Sequence, residues 1–177
     1  MFLQRLIRPG PAKRAGQQLY AAVVAQARMP ALYETMRAPD TPDGRFEVYT
    51  LHVLLVLARL RNLGEPGAAV AQAYFDAYLS GLDNGLRELA VGDLSVSKTM
   101  RRLGEAFYGR GKALDAAFAV LPDRAELDAL LVRTVFGKRE DADPKPLGDY
   151  LLQIRAALAE APADPLLAGD IAWPALA

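Results

Sequence analysis

Between Phe46 and Leu60 the chain reads FEVYTLHVLLVLARL, and a helix over this stretch would have no wet face. At about 100° per residue, Phe46, Val48, Tyr49, Leu51, Val53, Leu54, Leu55, Val56, Leu57 and Leu60 point in every direction. A helix that is apolar all round must be wrapped by other elements. This predicts an all-α, single-domain bundle of about six to seven helices around a buried central helix at about 43–63. Asp43 is placed to cap that helix, and Glu47 puts a negative charge in its first turn. Gly64 is placed as its left-handed terminator.

The other segments repeat the helical period. Leu19, Tyr20, Val23, Val24 and Ala27 form one face of a helix over 12–29, and Pro30 opens a short turn or helix with Leu32, Tyr33 and Met36. The APDTPDG run at 38–44 is dense in turn formers. After Pro66, the stripe Phe75, Leu79, Leu82, Leu86 and Leu89 keeps its phase through Gly81 and Asp83-Asn84-Gly85, so one helix is expected as far as a Gly92-Asp93 break. A helix over 94–108 follows. A bend at Gly109 and Gly111 is expected before 112–120. Asp123 with Glu126 suggests a capping box opening 124–136, and KREDADPKP at 138–146 reads as an exposed loop. Leu147, Tyr150, Leu151, Ile154 and Leu158 form the last stripe. The expected organisation is a flexible basic segment at 1–11, a helical domain at 12–160 and a Pro/Ala-rich tail at 161–177, which Trp173 either pins or leaves loose.

Composition removes several chemistries. The chain has 177 residues, long enough for a substantial core, and no cysteine, so disulfides, thiolate metal sites and cysteine nucleophiles are excluded. The single histidine, His52, excludes a multi-histidine metal site within one chain. Its apolar neighbours at i±3 and i±4 favour a hydrogen-bonded structural role over a general base or haem ligand. Asp40 and Asp43 sit in a Pro/Gly turn, where aspartate is the expected turn and cap residue. Ser95, Ser97 and Thr99 lack a motif that would activate a nucleophile. The chain therefore reads as a non-enzyme with no cofactor.

Charge is balanced overall, 21 basic against 21 acidic groups, which predicts no specific DNA binding. Its distribution is uneven. Residues 1–30 carry Arg5, Arg8, Lys13, Arg14 and Arg28 and no acid, whereas 121–177 are net acidic. The start MFLQRLIRPG has neither the apolar run of a secretory signal nor the length of a membrane span. Phe2, Leu3, Leu6 and Ile7 beside Arg5 and Arg8 either lie on an anionic membrane or form a frayed terminus.

The strongest interaction candidate is LRELAVGDLSVSKTMRRLGEAFYGR, residues 86–110. Val96, Met100, Leu103 and Phe107 fall in one narrow stripe, while Lys98, Arg101, Arg102 and Glu105 fall opposite. The stripe is the expected core side. The cationic side suits an acidic protein patch, a phosphate backbone or a lipid headgroup, unless it is ordinary solvated surface. Arg45, beside Phe46, suits either a partner contact or an ion pair. The apolar stripes, with Tyr78 and Tyr108 beside them, suit either core or groove.

RFEVYTLHVLLVLARL at 45–60 and the 86–110 stretch, with QARMPALYE and PDTPDGRFE, resemble the ubiquinol–cytochrome c chaperone family from about Leu19 to Val120. The resemblance implies an all-helical, non-enzymatic assembly factor of the cytochrome bc complex that binds newly made cytochrome b or another respiratory-complex subunit. Its partners would include the ribosome or a small helical co-chaperone. Arg87, Glu88, Gly92, Asp93, Lys98 and Arg110 occupy the family's motif positions. Partner contacts are expected at Lys98, Arg101, Arg102, Arg110, Arg45 and Tyr108. A bacterial protein on the cytoplasmic side is expected, with a peripheral membrane contact through residues 1–8. The competing reading is a helical small-ligand or regulatory module holding a quinone or haem.

Overall fold

Six long helices and two short ones make up the computed structural model, which describes residues 9–88, 93–139 and 141–176. They are α1 (Pro11–Gln26), α2 (Ala31–Glu34), α3 (Pro42–Arg61), α4 (Gly64–Glu88), α5 (Asp93–Ala119), α6 (Ala125–Thr134), α7 (Lys145–Glu160) and α8 (Ala163–Ala168).

Helix α3 is the buried axis. Its residues 47–57 are buried apart from a half-buried Tyr49, and α1, α4, α5 and α7 all pack on it. Thr41, not Asp43, caps it: the Thr41 hydroxyl accepts from the Gly44 amide at 3.1 Å. Asp43 occupies the first turn, and Glu47 lies one turn further on and faces inward. Gly64, at φ +68°, takes the left-handed conformation between α3 and α4.

Helix α4 runs through Gly81 and Asp83-Asn84-Gly85 without interruption. Its deepest face is Gly67, Val70, Ala71, Tyr74 and Tyr78. The stripe read from the sequence lies about a quarter turn round from that face. Phe75, Leu79, Leu82 and Leu86 are only half-buried there, and Phe75 meets Phe107 of α5 at 5.2 Å between ring centroids.

The bend expected at Gly109 and Gly111 is absent, and α5 is continuous from Asp93 to Ala119. Phe107, Leu114 and Ala117 remain in one buried register, so packing carries the helix across both glycines. Before α6, the Asp123 carboxylate accepts from the Ala125 amide at 2.9 Å. This is an Asx turn in place of the expected capping box. The Gly92-Asp93 break and the basic 1–8 segment lie outside the described residues, apart from Asp93 as the first residue of α5.

Beyond Ala161 the chain forms α8, which packs on α1, and Trp173 then places its ring edge-on to His52 at 5.8 Å. Both rings join the core. Among the described residues no helix is long and apolar enough to cross a membrane, and no cluster of His, Asp or Glu could hold a metal.

Candidate interaction surface

The cationic side chains of α5 stand where the helical period puts them. Lys98, Arg101 and Arg102 are exposed, and on the opposite side Val96 and Phe107 are buried with Met100 and Leu103 half-buried. Arg101 donates to Glu105 at 3.1 Å. That pair is more than half exposed and contributes little stability. Among the described residues, neither Lys98 nor Arg102 has a carboxylate within 4 Å.

The other expected contact residues are scattered or already engaged. Arg110 makes a bidentate pair with Glu47, inside the seam between α5 and α3. Arg45 pairs with Asp40 and lies over the Tyr33 ring, 5.8 Å from its centroid, so it takes the ion-pair alternative at the surface. Tyr108 is 67% exposed and projects from α5 beside Phe107. Tyr78 faces the core. It is buried, 3.5 Å from the Thr50 hydroxyl, and burial pushes its phenol up to about 12. Arg87 binds Asp83 at 2.7 Å on the exposed end of α4, next to an exposed Glu88. Gly92 and the Asp93 side chain lie outside the described residues.

Both ring nitrogens of the buried His52 have hydrogen-bond partners. Its Nδ1–H donates to the Val48 carbonyl at 2.8 Å, which leaves Nε2 as acceptor for the Tyr150 hydroxyl at 3.3 Å. Gln26 donates to the same hydroxyl at 2.6 Å. The ring is fully buried, and desolvation, only partly offset by the Val48 hydrogen bond, holds its pKa down at about 4. The neutral imidazole thus ties α3 to α7 and, through Tyr150, to α1.

Two concave features were not legible beforehand. A cavity of about 540 Å³ opens between α1, α2, α3 and α4, with Tyr20, Tyr33, Phe46 and Tyr49 among its walls. A groove of about 750 Å³ runs between the start of α3, the cationic half of α5 and the end of α6, and Arg102, Arg110 and Arg139 line it. Of the residues singled out in the 86–110 stretch, Arg102, Leu103 and Arg110 line it, all from α5. Its other walls come from segments far apart in sequence.

A family model described as Ubiquinol-cytochrome C chaperone matches residues 34–173. The match extends well past Val120, where the resemblance seen in the sequence stopped. The chain is 24% identical over 165 residues to "Ubiquinol-cytochrome-c reductase complex assembly factor 1" of Xenopus laevis, covering 91% of this chain and 81% of that protein. It is equally similar to the Mus musculus protein of that name, of which it spans 55%. Among solved structures, "Crystal structure of the Cbp3 homolog from Brucella abortus" superposes with a TM-score of 0.84 at 36% identity, covering 99% of this chain and 98% of that one.

Proposed function

Because the chain belongs to the ubiquinol–cytochrome c chaperone family, we propose that it is a non-enzymatic assembly factor of the ubiquinol–cytochrome c reductase complex. Its client is newly made cytochrome b or another subunit, held until it joins the complex. The observation that carries this reading is the extent of the likeness. The solved relative superposes over 99% of the chain with a TM-score of 0.84, so the similarity covers the whole body and is not confined to one motif.

The surface agrees with a binding role. An exposed tyrosine, Tyr108, stands on the same helix as Lys98, Arg101 and Arg102, and aromatic and arginine side chains are the ones that most often anchor protein interfaces. Arg45 adds a charged rim to the aromatic-walled cavity. Action at the cytoplasmic face of a bacterial membrane, with residues 1–8 in contact with anionic lipid, is part of the proposal. So is delivery in concert with the ribosome or a small helical co-chaperone.

The test is deletion of the gene in its own organism, followed by redox difference spectra of the membranes. The expected result is loss of the cytochrome b signal and of reductase activity, restored by the wild-type chain. Normal spectra and normal activity would overturn the reading.

A further inference from the structure

Arg102 on α5 and Arg139 beyond α6 line the same groove from two different segments of the chain. Between them lies an apolar floor: Phe46, Leu103 and Ala106 are half-buried, and Phe136 is buried. The groove's acidic residues do not balance its bases. Glu47 is occupied by Arg110, which leaves Asp43 in the first turn of α3. Lys98 stands one turn from Arg102 on the same face of α5. Arg139 pairs with Asp141, but both are more than half exposed, so Arg139 can exchange to another carboxylate at small cost. The result is an apolar trough lined by Arg102 and Arg139 with Lys98 one turn beyond it, and among the described residues neither Lys98 nor Arg102 has a carboxylate within 4 Å.

We propose that this groove binds an acidic, amphipathic segment of a protein partner. The segment's apolar side rests on Phe46 and Leu103, and its carboxylates meet Lys98, Arg102 and Arg139. The inference rests on the assembly-factor reading and specifies the chemistry of the partner. A protein fits better than RNA. The floor offers half-buried and buried apolar side chains, not exposed aromatic faces on which bases stack. The chain also has no net positive charge to draw a polyanion.

The experiment places p-benzoylphenylalanine at Ala106 or Thr134 in the groove, and at Ala68 on the exposed side of α4 as a remote control. The full chain is cross-linked in its own cells. The attachment sites are mapped by mass spectrometry, with RNA and lipid adducts scored separately. The expected result is that both groove probes attach to a protein segment with more Asp and Glu than Lys and Arg. Lys98→Glu/Arg102→Glu/Arg139→Glu should cut that yield by about tenfold or more at unchanged melting temperature. Lys98→Gln/Arg102→Gln should cut it by a smaller factor and serves if the reversal variant fails to fold. Attachment to RNA, to lipid or to a neutral or basic segment would overturn the proposal. So would yields no higher than at Ala68, or yields indifferent to charge. Cytochrome content plays no part in this readout, so failure of the groove and failure of the assembly role are told apart.

Discussion

Arg110 on α5 grips Glu47 on α3 with two hydrogen bonds, Nε to Oε2 at 2.9 Å and Nη2 to Oε1 at 2.5 Å. Glu47 is only 6% exposed, so its charge is tolerated in the core rim because this guanidinium meets both carboxylate oxygens. The pair fastens the helix that carries the cationic face to the axis of the bundle. Arg110, expected to contact a partner, is thus also a clamp between two helices, with its side chain 27% exposed at the groove.

Removing the arginine strands the carboxylate. Arg110→Ala should cost about 2–4 kcal/mol in urea unfolding, because an unpaired buried charge is more expensive than the pair was favourable. Adding Glu47→Gln to Arg110→Met should recover a good part of that loss. If Arg110→Ala unfolds like the wild type, the pair is not a clamp.

Two helical glycines should respond to alanine in opposite directions. A Cβ on Gly16 would sit 2.5 Å from the Tyr74 amide nitrogen, so Gly16→Ala must push α1 off α4 and should cost about 1–3 kcal/mol. A Cβ on Gly104 would meet nothing within 4 Å, so Gly104→Ala should add up to about 1 kcal/mol from helix propensity alone. Thermal melts of the two variants check both signs.

His52 sets an acid limit. Its folded pKa, about 4, lies below the unfolded value, so the unfolded chain binds the proton first as pH falls. The stability from a neutral His52 is fully present above about pH 6.5 and drains away towards pH 4, at up to about 1.4 kcal/mol per unit. Between pH 6.5 and 5 few carboxylates titrate, and His52 is the sole histidine. His52→Gln should therefore flatten the melting temperature across that window, and an undiminished slope would assign the effect elsewhere.

Trp173 shields that imidazole, 5.8 Å from it ring to ring. Trp173→Ala should cost about 1–3 kcal/mol, a partly buried version of the usual large-to-small penalty. It should also admit water and move the His52 titration, followed by NMR, back up towards 6.5. An unmoved titration would mean that other residues shield the ring.

The axis helix was legible because burial on every side leaves its mark along residues 47–57 of α3. Helix α4 was legible in extent but not in orientation. Its deepest face uses Gly67, Ala71 and two tyrosines, which a search for leucine and phenylalanine spacing undervalues. The continuous path of α5 could have been found, since Phe107 and Leu114 are seven residues apart and share a face, but Gly109 and Gly111 outweighed that register locally. The Glu47–Arg110 pair and the groove were beyond reach. Each joins residues from separate helices, and local spacing says nothing about which helices become neighbours. Lys98 and Arg102 were found because their pattern lies within a single helix.

The central claim is that this chain holds a reductase subunit between synthesis and assembly. A pulse of labelled amino acid, followed by a chase and isolation of the tagged full chain, tests it most directly. The account predicts a labelled reductase subunit on the chain at the end of the pulse, disappearing during the chase as the mature complex gains label. No labelled subunit at any time, or an association that persists undiminished through the chase, would contradict it.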